Sequence, residues 1–113
     1  MKSCFIFVAF FIIASSAFAD TASWYGGSEK LNEYTASGRR FDPTEMGCAM
    51  YDVPFDTLVK VTNLANGKSV VVKIFDRGPN KRLNRKIDLY REAFRKIADL
   101  KQGLIEVKVE VLP

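Results

Sequence analysis

The stretch that most limits what this chain can fold into is Val70-Val71-Val72-Lys73-Ile74-Phe75-Asp76-Arg77-Gly78-Pro79. Its β-branched, apolar body predicts a mostly buried strand, because branched side chains pack well on a pleated sheet and lose χ1 freedom in a helix. The strand stops abruptly, since Asp, Gly and Pro all favour turns. Asp76 is therefore carried to the end of a strand, at the rim of the sheet that strand joins. On its own, Asp-Arg-Gly-Pro reads as a turn. In the company of the other segments it becomes a candidate acid/base site.

The neighbouring segments have the same short-strand character. Residues 22–26 form an aromatic strand that runs into the loop signal Gly26-Gly27-Ser28. Residues 29–34 are polar and without period, and read as loop. Residues 35–43 are rich in turn formers, and Asp42 before Pro43 favours an Asx-type turn. Residues 46–50 are small and apolar, either a buried segment or a short helical turn. Pro54-Phe55-Asp56-Thr57 is a turn leading into a strand over residues 58–62. Asn66-Gly67 is the preferred pair for a type I′ turn, and predicts a hairpin joining residues 58–63 to residues 68–75. Between residues 90 and 100, Ala93, Phe94, Ile97 and Leu100 share one helical face, and Gly103 is placed to end that region. Residues 104–112 alternate as a last strand, with Ile105, Val107, Val109 and Val111 facing one way. Many short strands with one or two short helices predict an all-β chain closed into a small barrel.

The beginning of the chain reads differently. Met1-Lys2 is a short basic start, an apolar run follows from Cys4 to Ala14, and Ala17-Phe18-Ala19 offers a small-x-small cleavage site. Residues 1–19 are expected to be a cleaved secretory signal peptide, with one domain over residues 20–113. The apolar run is shorter than the about 20 residues that span a bilayer. Cys4 lies at the start of that run, far from the cleavage point, so it is not placed to be acylated. The expectation is an exported protein, periplasmic or secreted, and not lipid-anchored. Without Cys4 only Cys48 remains; no internal disulfide can form, which suits a bacterial periplasm or wall. Cys48, between Gly47 and Ala49, reads as a small buried hydrophobe.

The chain contains no histidine. That removes Ser-His-Asp and Cys-His catalysis and the usual His-containing zinc sites, so no metal or cofactor is expected. Chemistry falls to carboxylates, Tyr, Lys or the single thiol. The net charge of +4 is mild and fits contact with an anionic polymer. The basic residues between Lys81 and Lys86 lack interleaved aromatics, and no nucleic-acid partner is expected.

Several segments occur in an order that closely resembles the rare lipoprotein A family of endolytic peptidoglycan transglycosylases. They are Ala22-Ser23-Trp24-Tyr25-Gly26, Thr35-Ala36-Ser37-Gly38, Phe41-Asp42, Pro54-Phe55-x-Thr57, Val61-Thr62-Asn63-Leu64, Asn66-Gly67-Lys68-Ser69-Val70, Asp76-Arg77-Gly78-Pro79 and Ile87-Asp88-Leu89, with a closing Val-x-Val-Glu-Val. The resemblance implies a six-stranded double-psi β-barrel, as in barwin and expansin domains. It implies cleavage of peptidoglycan glycan strands between N-acetylmuramic acid and N-acetylglucosamine, with a 1,6-anhydro product and a preference for strands stripped of stem peptides. Cell-wall amidases or division proteins are the implied protein partners.

Ordinary glycosidases need two carboxylates, about 5–5.5 or 6.5–9.5 Å apart, to manage water or an enzyme nucleophile. A lytic transglycosylase uses the sugar's own 6-hydroxyl, held near the anomeric carbon, so one carboxyl can first give and then take a proton. Asp76 is the residue expected to do this, with Asp42 in support. Trp24, Tyr25 and Tyr51 are candidates to stack on sugar faces. Arg77 and Arg85 are candidates to bind acetamido carbonyls or lactyl carboxylates, although the sequence leaves the direction of Arg77 open. The chain departs from the family where Arg39 stands at a customary Glu and Met50 at a customary His. Asp56 stands at a usual Gly, tolerable if its φ is positive. Tyr90 replaces a helix-capping Ser, so the helix start either frays or is capped by Asp88. The competing expectation is a non-catalytic, expansin-like module that binds or loosens the wall.

Overall fold

The computed structural model describes residues 19–27, 31–79 and 85–113. The expected signal peptide, apart from Ala19, and residues 80–84 of the basic loop lie outside the described residues. Six strands, β1 (Asp20–Tyr25), β2 (Gly47–Ala49), β3 (Leu58–Asn63), β4 (Ser69–Asp76), β5 (Ile87–Tyr90) and β6 (Ile105–Val111), close into a barrel in the order β1-β5-β2-β4-β3-β6. The β1–β5 and β2–β4 ladders are parallel and the other four antiparallel. This is the six-stranded all-β barrel expected from the sequence.

Strand alternation fills the interior. Val59 and Val61 of β3, Val70, Val72 and Ile74 of β4, Ile87 and Leu89 of β5, and Ile105 and Val107 of β6 are buried, joined by Ala22 and Cys48. Residues 46–50 resolve as the short buried strand β2, not as a helical turn. One end of the barrel is closed by α1 (Arg91–Arg95), whose Ala93 and Phe94 are buried with Ile97 just beyond it. The helix is shorter than the apolar spacing predicts. Asp99 adopts an extended φ of −80° and ψ of 133°, and its carboxylate instead caps a 3-10 turn over Leu100–Gln102 by accepting from the Lys101 N–H.

The start of α1 is held in a way the sequence does not suggest. Tyr90 makes no side-chain cap, and Asp88 accepts instead from Ser23 Oγ. The Glu92 N–H donates to the carbonyl of Pro43 at 3.2 Å, satisfying one of the orphan donors of the first turn. The β3–β4 hairpin joins its strands where expected, but with a different turn. Its loop is four residues, 64–67, closed by the Asn63 N–H on the Lys68 carbonyl and the Gly67 N–H on the Asn63 carbonyl, both at 2.8 Å. A type I′ turn needs positive φ at both central residues, and only Gly67 has it, at 75°. Asn66 is occupied otherwise: its Nδ2 donates to the carbonyl of Ile97, as does Nδ2 of the buried Asn63, so the loop is tied to the exit of the helix. Asp56 takes the positive φ expected of it, 68°.

Candidate functional site

Asp76 reaches its position through an irregularity in the β2–β4 ladder. Cys48 pairs with Ile74 but Ala49 pairs with Asp76, so Phe75 has no partner across the ladder. Strict alternation after the inward Val70, Val72 and Ile74 would turn Asp76 into the barrel. The extra residue turns it out, to the side that carries Ala49, which is the way a bulge re-aims a side chain. Ala49 in turn pairs with Asp88, and Asp88 with Ser23. Asp76, Ala49, Asp88 and Ser23 therefore form one row across four strands on the outer face.

The two carboxylate oxygens of Asp76 have different surroundings. Oδ1 accepts from the backbone N–H groups of Ala36 and Arg77, each at 2.9 Å. Those two bonds use both of its acceptor positions. Oδ2 accepts from the Tyr25 hydroxyl at 3.2 Å, which leaves it a second position. A proton carried by this side chain consequently sits on Oδ2.

Around this carboxylate is a shell of aromatic rings. Tyr25 stacks on Phe41 at 5.3 Å and meets Tyr90 edge-on at 5.4 Å, while Tyr90 packs edge-on against Phe41 at 4.8 Å. Gly47 makes this packing possible, because a Cβ there would lie 2.6 Å from the Tyr90 ring and 2.8 Å from Phe75. Burial pushes both phenols above their ordinary range, helped for Tyr25 by the charges of Tyr90 and Asp76 and for Tyr90 by Asp76. Tyr25 thus keeps its proton and serves Asp76 as a hydrogen-bond donor. Burial, with the charge of Asp88, likewise pushes the Cys48 thiol up to about 12, so this fully buried sulfur behaves as the small hydrophobe expected.

Asp76, Tyr25 and Phe41 line a groove of about 320 Å³. A short arm, residues 31–41, supplies the rest of its lining. The Phe41 N–H bonds the Glu33 carbonyl, Tyr34 bridges Arg40, and the Thr35 N–H bonds the Arg39 carbonyl at 2.8 Å. Leu31, Asn32, Tyr34, Thr35 and Ala36 of this arm line the groove.

The other residues singled out from sequence are dispersed. Asp42 is exposed and closes a turn, its Oδ1 accepting from the N–H and the Oγ1 of Thr44 at 3.0 and 2.6 Å; those bonds hold its carboxyl below the usual range. Asp42 does not line the groove. Trp24 points the other way, packing beside Phe94 and donating from Nε1 to the Leu100 carbonyl at 3.0 Å. Half-buried Tyr51 lies outside the groove lining as well. Arg77 turns away from Asp76, its Nη1 on the Met50 carbonyl at 2.9 Å and its guanidinium 3.8 Å from the centre of the Phe55 ring. Arg85 donates to Ser23 Oγ at 3.3 Å, and Ser23 donates to Asp88 at 2.8 Å, so Arg85 belongs to the outer row. Arg39 lies over Phe75 at 4.2 Å and pairs with Glu45 at 2.8 Å, and Met50 is core.

Two features were missed from sequence. Asp88 has a signal: it stands between the inward Ile87 and Leu89, so alternation alone turns it outward. Tyr34 has only the faint mark of an aromatic in a polar stretch just before the Thr35-Ala36-Ser37-Gly38 turn.

Residues 17–109 match the protein family described as lytic transglycolase. An endolytic peptidoglycan transglycosylase RlpA from Rickettsia felis is 42% identical over 104 residues, covering 88% of this chain and 45% of that protein. A probable endolytic peptidoglycan transglycosylase RlpA from a Nostoc species is 46% identical over 104 residues, covering 88% of this chain and 28% of that one. The chain thus spans less than half the length of these relatives. Among solved structures, the Streptomyces papain inhibitor superposes with a TM-score of 0.65 at 20% identity, over 85% of this chain and 94% of its own. The Clavibacter michiganensis expansin superposes with a TM-score of 0.66, also at 20% identity, over 84% of this chain and 50% of its own. At that identity the likeness concerns the fold.

Proposed function

Because the chain belongs to the double-psi β-barrel lytic transglycolase family, that of RlpA, we propose that it is itself an exported peptidoglycan lytic transglycosylase with Asp76 as its acid/base. Its substrate is the glycan strand stripped of stem peptides, cut between N-acetylmuramic acid and N-acetylglucosamine. The observation that carries this reading is the division of labour within one carboxyl group. Oδ1 is held by two backbone N–H groups, and Oδ2 keeps one position open beside the groove.

In the first half of the reaction Oδ2–H gives its proton to the glycosidic oxygen as the C1–O bond breaks. In the second half the 6-hydroxyl of the same muramyl residue attacks C1, and its proton passes to Oδ2. The side chain ends as it began, and no water is consumed. The two backbone donors fix the carboxyl plane, so the proton is delivered along one direction. Tyr25 stabilises the carboxylate formed midway through the cycle. Cell-wall amidases fit this scheme as partners, since they produce strands without stem peptides, and division proteins fit as neighbours on the same polymer.

The test is digestion of peptide-free sacculi, with mass spectrometry of the products. Wild-type protein is expected to leave 1,6-anhydromuramyl ends, and Asp76→Asn to lower their rate of appearance by about 10²–10⁴-fold. A second reading, a non-catalytic wall-binding module, is favoured by two observations: Arg39 is paired with Glu45, and Met50 is buried in the core. Sacculus binding without product, unchanged by Asp76→Asn, selects it.

A further inference from the structure

The groove beside Asp76 is bordered by two exposed apolar side chains. Tyr34 is 55% exposed and Leu31 42% exposed, the most open large apolar residues next to the carboxylate. Tyr34 is not loose surface, since the arm that carries it is paired to itself at Glu33–Phe41, Tyr34–Arg40 and Thr35–Arg39, and is pinned to Asp76 through the Ala36 N–H. An exposed phenol ring on a braced backbone costs little entropy to bind against. A volume of about 320 Å³ lies at the lower end of ligand clefts, about 300–1,000 Å³.

Charge narrows the ligand further. Among the described residues lining the groove, Asp76 is the only charged one. The two arginines expected to receive carboxylates are engaged elsewhere, Arg77 on the Met50 carbonyl and Phe55, Arg85 on Ser23. Among the described lining residues a lactyl carboxylate would meet no cation and would lie near a carboxylate.

We propose that Tyr34, flanked by Leu31, is the platform on which a pyranose ring of the glycan stacks, and that this groove recognises neutral sugar faces and not the lactyl carboxylate. Each hexopyranose has a face of C–H groups that an aromatic ring can cover, while Asn32 offers an amide beside it. The inference rests on the reading of a glycan as substrate, but it concerns binding and not bond cleavage.

The experiment is titration calorimetry on the protein carrying Asp76→Asn, in which cleavage is blocked. The two ligands are N-acetylchitotetraose, which has no lactyl group, and a peptide-free tetrasaccharide containing N-acetylmuramic acid. Both are expected to bind with dissociation constants within about threefold of each other, and Tyr34→Ala to weaken both by about tenfold. Tyr34→Phe is expected to retain binding, because the ring and not the hydroxyl does the stacking. Tyr34 is exposed, so an unchanged Tm accompanies each result. Unaltered affinity in Tyr34→Ala, binding of the muramyl ligand alone, or binding of neither ligand overturns the proposal. Binding of both through Tyr34, with no anhydro ends made by the wild type, supports the platform and removes the cleavage reading.

Discussion

The two halves of the barrel are made from similar residues and do different things. In the half formed by β3, β4 and β6, long antiparallel ladders run without a slip, and the outer face is open, with Leu58, Lys60, Val71 and Lys108 exposed. In the half formed by β1, β5 and β2, the strands are short and the ladders mixed. Its outer face is covered: Ser23 and Ala49 are 3% exposed, and Tyr25 and Tyr90 on that face pack on one another and on Phe41. One half spends its residues on pairing and an apolar interior. The other half gains a second, partly polar layer, and that layer is where a carboxylate can be surrounded by chosen donors. The lesson is that the site sits where the sheet is covered twice, with the bulge in β4 as the hinge between the two regimes.

Removing interior volume should produce the largest stability effect. Ile74→Ala, in the fully buried interior, is expected to cost about 2–5 kcal/mol in urea unfolding. A smaller loss than for any change in the outer layer would erase the contrast. Next is Gly47→Ala, whose new methyl group meets the Tyr90 and Phe75 rings. It should cost about 1–3 kcal/mol by overpacking and lower glycan cleavage by more than the fall in folded population explains.

Alkali offers a third way to separate the halves, because Cys48, Tyr25 and Tyr90 all belong to β1, β2 and β5. Their protons are held more tightly in the folded chain than in the unfolded one. The stability they contribute is fully present below about pH 8.5 and is lost as the pH rises through about 10 and beyond. The urea midpoint should fall between about pH 8 and about pH 10.5, with hydrogen exchange rising first in β1, β2 and β5. The smallest effect is expected from Arg39→Ala. Its ion pair with Glu45 is half exposed, so stability should change by at most about 1 kcal/mol, read from the same urea curves.

What could be read from the sequence follows the same divide. The interior of the open half is plain alternation, and Val59, Val61, Val70, Val72 and Ile74 fall where a period of two puts them. Asp76 was legible as a residue at a rim, because a strand followed by Asp-Arg-Gly-Pro has to end there. What aims it was not legible, since a bulge is a relation between two strands and leaves no mark on either alone. Asn66-Gly67 located the hairpin but not its turn: local preference favours type I′, but the Ile97 carbonyl, 31 residues away, takes the Asn66 amide. Trp24 and Tyr25 are neighbours in one strand with opposite fates, one facing Phe94 and the other Asp76. Alternation guarantees that split, but it does not tell which face is the interior.

Closure of the ring has a last consequence. A sheet that ends in an unpaired strand offers a row of open amides and carbonyls to any passing extended chain, and so invites sticking and fibre growth. Here β1 and β6, first and last in the chain, hydrogen-bond to each other, so every strand has two neighbours. A foreign extended chain therefore finds no strand of the barrel without two partners, and the closing ladder, not a charge or a proline, is what protects the edge.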